Sequence, residues 1–112
     1  METVSFTRME DGTKADYDFL GRLEHVYVSH LPDRILQAVS DLKKSLSGYQ
    51  VTRFEHSLQS ATRAYQDGKD EEYVVAALIH DIGDVLAPLA HGEMVGAIMK
   101  PYFPERLCWI VK

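Results

Sequence analysis

Apolar residues recur along this chain at spacings of three and four, the repeat of one helical face. No stretch keeps the strict alternation of a half-buried strand. A first helix is predicted from Lys14 to His30, with Thr13 as N-cap, Asp16 three residues on, and an apolar stripe of Leu20, Leu23, Tyr27 and Leu31. Pro32 suits the start of a second, in which Ile35, Val39, Leu42 and Leu46 repeat until Gly48. Thr52 and Glu55 form the signature of a capping box opening a third helix. Phe54, Leu58, Ala61 and Tyr65 are its expected core face, and Gly68 closes it. Asp70 caps a fourth helix running to Asp81, apolar on every side from Val74 to Ile79 and therefore expected to be buried. Pro88 begins a short loop, a fifth helix runs from His91 to Lys100, and Pro101 and Pro104 flank a turn before a sixth helix from Glu105. The fold class is all-α, a bundle of about six helices.

The last helix reads as unfinished. Leu107, Trp109, Ile110 and Val111 resemble a core helix in mid-course, with no Gly, Asn or Pro stop before Lys112. The expectation is one domain over residues 1–112 that is the N-terminal part of a longer one. Its exposed C-terminal region would favour self-association.

Composition narrows the class without changing the fold. Apolar residues at 46% and charged ones at 26% are the balance of a soluble globular protein. The apolar run Val74–Ile79 is far below the ~20 residues of a membrane span. METVSFTRMEDG has no basic and apolar leader, and the single Cys108 cannot form an intrachain disulfide, so a cytoplasmic location is expected. A net charge of −5 without a Lys/Arg cluster argues against nucleic acid as a partner. A small anionic substrate remains compatible, because a divalent metal can supply the positive charge.

The chemistry-bearing residues converge on the third and fourth helices. His56 lies twelve residues before Gly68 and His80 twelve after it. In a helical hairpin turning at Gly68, equal rise sets both imidazoles at one level, ~18 Å from the turn. Helix rotation decides whether they face each other. His80 and Asp81 end a helix expected to be buried, where ionisable groups are rare unless paired or metal-bound. His91 shares a face with Met94, Val95 and Ile98 and points inward. A single buried His is more often a hydrogen-bonded core residue, and His56 shares a polar stripe with Gln59, Ser60 and Arg63 that water alone could cover. The conjunction is what points to metal, and imidazole plus carboxylate suits Fe, Mn or Zn. His25 and His30 show no such convergence and read as surface residues.

The stretch from Val51 to Tyr102 resembles the HD-domain superfamily, with its pattern of His, then His-Asp, then a further His. RFEHSLQSATRA, VVAALIHDIGD and AHGEMVGAIMKPY are similar to the branch of diiron oxygenases that cleave organophosphonates, whose metal core resembles that of myo-inositol oxygenase. FTRMEDGTKADY resembles the N-terminal lead of the same bacterial subfamily. The resemblance implies that His56, His80 and Asp81 hold one metal, that Asp81 bridges to a second and is the catalytic candidate, and that His91 binds the second. It also implies another His and a late Asp that this sequence does not contain; in relatives the next ligand follows soon after the stretch similar to CWIVK.

The implied activity is that of a non-haem enzyme with two Fe ions, oxidising a small hydroxylated organophosphonate at the carbon bearing phosphorus so that the C–P bond cleaves. An HD-type phosphohydrolase, using Mn, Mg or Zn to polarise a phosphoryl group and activate water, is the alternative. A non-catalytic helical domain with a degraded or truncated site is the third reading. Asp84, four residues after His80 and so one helical turn further along, is the substrate-binding candidate, for a cationic group such as an amine or quaternary ammonium. A helix-end carboxylate paired with a neighbouring Arg or with water is the plainer account of it.

Overall fold

A computed structural model describes residues 2–45 and 48–112. It is all-α: helices α1 (Lys14–Ser29), α2 (Leu31–Asp41), α3 (Arg53–Gln66), α4 (Glu71–Ile79), α5 (His91–Met99) and α6 (Glu105–Val111). Short 3-10 turns lie at Met9–Asp11, Leu42–Lys44 and Ile82–Asp84, and no strand occurs among the described residues. The expected second helix ends early, at Asp41, and continues as the turn to Lys44; Leu46 lies outside the described residues. By its contacts the chain divides into a unit up to Arg34 and a unit Ile35–Lys112, with α2 crossing the boundary.

In the first unit Thr13 caps α1 as expected. Its hydroxyl accepts from the Asp16 N–H at 3.2 Å, and the Asp16 carboxylate accepts from the Thr13 N–H at 2.9 Å. The Tyr17 hydroxyl donates to the Met9 carbonyl, tying the preceding 3-10 turn to the helix. Leu23 and Tyr27, half of the anticipated stripe, are exposed, and Arg34 lies 3.8 Å above the Tyr27 ring.

The core sits in the second unit, where Val39, Leu42, Ala76, Ile79, Ile82, Val95, Met99, Leu107 and Cys108 are buried together. The α3–α4 hairpin is assembled from local signals. Thr52 accepts from the Glu55 N–H at 3.1 Å, while the Glu55 carboxylate takes the Thr52 hydroxyl, so one half of the capping box forms. Gly68 adopts φ +78°, the left-handed conformation that ends a helix cheaply only in glycine. Asp70 then caps α4 by accepting from the Tyr73 N–H at 2.9 Å.

The inward face of α3 differs from the expected one. Ser57 and Ala64 are buried, whereas Leu58 and Tyr65 are exposed. Small side chains at Ser57 and Ala64 let the two backbones approach, and that close packing outweighs burial of the larger pair. On α4, Ala76 and Ile79 are buried but Val75 meets solvent, so the helix is not covered on all sides. α4 also stops at Ile79 rather than Asp81. Asp81 leaves helical conformation (φ −106°, ψ 5°), and the Asp84 N–H donates to its carbonyl at 2.9 Å to form the 3-10 turn.

Helices α5 and α6 approach through glycine. A Cβ on Gly92 would lie 2.4 Å from the Val111 carbonyl oxygen. Leu107 and Cys108 face inward, but Trp109 (76% exposed) and Ile110 do not, contrary to the reading of α6 as core throughout.

Candidate metal centre

The level-matching of His56 and His80 is realised: their ring centroids are 5.3 Å apart, with planes at 71°. Asp81, 3% exposed, stands between them. Its Oδ2 lies 3.2 Å from His80 Nε2 and 3.6 Å from His56 Nε2, and its Oδ1 lies 3.3 Å from His91 Nε2. The ligand atoms offered by His56, His80 and Asp81 all fall within 4.8 Å of one another.

Two imidazoles are aimed by the same device. His80 Nδ1 is 2.6 Å from the Ala77 carbonyl and His91 Nδ1 is 3.4 Å from the Pro88 carbonyl, each three residues earlier. A carbonyl can only accept, so Nδ1 carries the proton and Nε2 turns its lone pair toward Asp81. With both rings neutral, lone pairs would meet a buried carboxylate with nothing between them. Asp81 Oδ2 is indeed buried without a hydrogen-bond donor. A cation resolves this arrangement, either a proton or a metal.

The protonic answer agrees with the electrostatics of the pair. The hydrogen bond to Asp81 raises His80 above the ordinary imidazole value, against the opposing effect of burial and with help from the Ala77 carbonyl. Burial pushes the Asp81 carboxyl up, but the hydrogen bond and charge of His80, with Arg53 and His91, outweigh it and hold it below the usual carboxylate range.

The metallic answer fits the donor set. Ligand atoms sharing one ion through bonds of ~2.0–2.2 Å lie ~3.0–3.5 Å apart, close to the separations around Oδ2. Two imidazole nitrogens and a carboxylate oxygen suit Fe, Mn or Zn. The second carboxylate oxygen is turned to His91, so the two oxygens of Asp81 serve different histidines.

One residue of this cluster was not singled out from the sequence. Arg53 directs Nη1 to Asp81 Oδ2 at 3.5 Å and Nε to Asp84 Oδ2 at 3.6 Å. The available signal was its position three residues before His56, on the same face of α3. Asp84 is buried and faces this guanidinium. It reaches that place through the 3-10 turn Ile82–Asp84 and not, as its spacing from His80 implied, by continuing α4. His25 and His30 are exposed.

No family profile matches the chain, and no solved structure does. Among characterised proteins it is similar to the 1-hydroxy-2-(trimethylamino)ethylphosphonate dioxygenase (glycine-betaine-forming) of Leisingera caerulea, 37% identical over 69 residues. The match takes in 52% of this chain and 35% of that protein, so the chain spans about a third of its relative's length. No helix among the described residues is long and apolar enough to cross a membrane.

Proposed function

We propose that this chain carries part of an HD-type diiron site, and that the protein oxidatively cleaves the C–P bond of a small hydroxylated organophosphonate. The observation that carries this reading is Asp81: a buried carboxylate whose Oδ2 lacks a donor, with His56 and His80 around one oxygen and His91 at the other. In this reading His56, His80 and Asp81 would hold one iron, and Asp81 and His91 would hold the second. Iron bound there would supply Lewis-acid chemistry toward the substrate's oxygens and the redox chemistry of dioxygen activation. The stoichiometry closes, since a 1-hydroxyalkylphosphonate plus O₂ contains the atoms of a carboxylate plus phosphate. Residues 1–112 belong, in this proposal, to a single HD-type domain of a cytoplasmic enzyme.

The chain's own residues supply orientation. The Ala77 and Pro88 carbonyls fix two imidazoles, and Arg53 offsets charge on Asp81. Asp84 is proposed to meet the cationic end of a zwitterionic substrate, the relative's named substrate being a trimethylamino phosphonate. Asp84 is buried against Arg53, so such a cation would have to displace or share that pairing.

The deciding experiment is anaerobic loading of residues 1–112 with Fe(II), followed by addition of substrate with or without O₂ and detection of phosphate by ³¹P NMR. Phosphate release, even slow, should require O₂. Anaerobic release from phosphate esters with Mn or Mg would instead establish a phosphohydrolase. With four ligand residues for two ions, fewer than two irons per chain should survive dialysis against chelator.

A further inference from the structure

Two cavities adjoin the helical hairpin. The larger, about 390 Å³ between α3, α4 and α6, touches His80 but not Arg53, His56 or Asp81. The smaller, about 230 Å³, is lined by Tyr49, Val51, Thr52, Arg53 and His56, and so reaches the candidate ligands at His56.

Within it Arg53 is under-used. Its two ion-pair contacts, at 3.5 and 3.6 Å, are longer than the 2.7–3.2 Å of ordinary hydrogen bonds. Its Nε is buried and has no hydrogen-bond partner. A guanidinium offers five N–H donors in a rigid fork matched to tetrahedral oxyanions. The Tyr49 ring, 5.6 Å from its central carbon, bounds one side. Two carboxylates hold the fork in position, but neither satisfies it.

We infer that Arg53 is the oxyanion-recognition residue of this site, taking a phosphonate or phosphate group that enters through the Tyr49–His56 cavity. Asp84 Oδ2, at Arg53 Nε, then sets the direction of the fork. A zwitterionic substrate would exchange the internal Arg53–Asp84 pairing for two intermolecular pairs, phosphonate on Arg53 and cation on Asp84. This assignment rests on the proposed phosphonate chemistry, yet the binding step it describes needs no metal.

The test is therefore made on the metal-free chain, residues 1–112 in EDTA, with methylphosphonate as the probe and ³¹P NMR line-broadening as the readout. Wild type should bind. Arg53→Gln should weaken binding by about 10–100-fold and Arg53→Lys by less, since a point charge keeps attraction but loses the fork. Equal affinity in wild type and Arg53→Gln, or no binding by wild type, overturns the inference. Should Arg53→Gln fail to fold by circular dichroism, modification of wild-type Arg53 by phenylglyoxal decides, read by peptide mass spectrometry. Protection by methylphosphonate but not by tetramethylammonium supports the assignment, and absence of protection refutes it. Oxyanion binding together with phosphate release that proceeds without O₂ would remove the oxygenase reading and leave Arg53's role standing. Turnover with unaltered binding in Arg53→Gln would do the reverse.

Discussion

Gly83→Ala is the sharpest probe of how the turn after α4 sets the candidate metal site. Gly83 has no positive φ, so alanine meets no conformational penalty there; the obstacle is space. An added Cβ would stand 2.8 Å from the His91 carbonyl oxygen, 3.0 Å from His91 Cα and 3.2 Å from its Cβ. Ordinary contact begins near 3.4 Å, so the turn and the start of α5 must part by about 0.2–0.6 Å. The first two of these atoms are backbone and cannot rotate away. Overpacking of this kind costs about 1–3 kcal/mol, and alanine's lower unfolded-state entropy returns about 0.4–1 kcal/mol. At mid-range the net is a loss of about 1.3 kcal/mol, or roughly 5–10 °C in Tm for a domain of this size. His91 opens α5 with Nε2 only 3.3 Å from Asp81 Oδ1, so the same displacement lengthens its contact with the carboxylate. Thermal unfolding, together with Co(II) competition against a chelator, measures both effects. Metal affinity should fall about 10–100-fold, the size expected when a ligand's support is lost, and should match His91→Ala. An unchanged Tm would refute the packing argument. A lowered Tm with unchanged metal affinity would remove His91 from the ligand set.

Four further outcomes follow from the structure. Asp81→Asn should lower the His80 titration midpoint in two-dimensional NMR, because the hydrogen bond to Asp81 is the largest influence raising it. In the metal-free chain, the stabilisation from raised His80 is complete below the ordinary imidazole value of 6.5 and is lost as pH rises through the folded value. That from lowered Asp81 is complete above 3.8 and is lost as pH falls through its folded value, so urea denaturation should show this pair contributing most between 3.8 and 6.5. Added metal should move the optimum upward, because it competes with the proton for His80. Ser57→Ala should stabilise the chain by about 0.5–1.5 kcal/mol in the same assay, since the buried Ser57 hydroxyl has no partner and alanine favours helix. A destabilised variant would reveal a partner for that hydroxyl.

What the amino-acid order determined by itself is what lies within one element or across one turn. Thr13, Thr52 and Asp70 mark helix starts by side-chain chemistry that acts over three residues, and each caps where expected. Gly68 marks the hairpin turn because only glycine adopts its φ without cost, and the constant rise of a helix then places His56 and His80 at one level. Tertiary structure decided rotation and close approach. Helical periodicity sets the faces of one helix relative to each other, but not which face meets a neighbour. Ser57 and Ala64 turn inward, against the larger Leu58 and Tyr65, because the helices pack closely there. The end of α4 at Ile79, the swing of Asp81 between three histidines, and the reach of Arg53 to Asp81 and Asp84 depend on contacts between segments distant in sequence. Residue types along the chain therefore announced the candidate ligands, whereas packing between helices, which no local pattern encodes, brought them around one carboxylate.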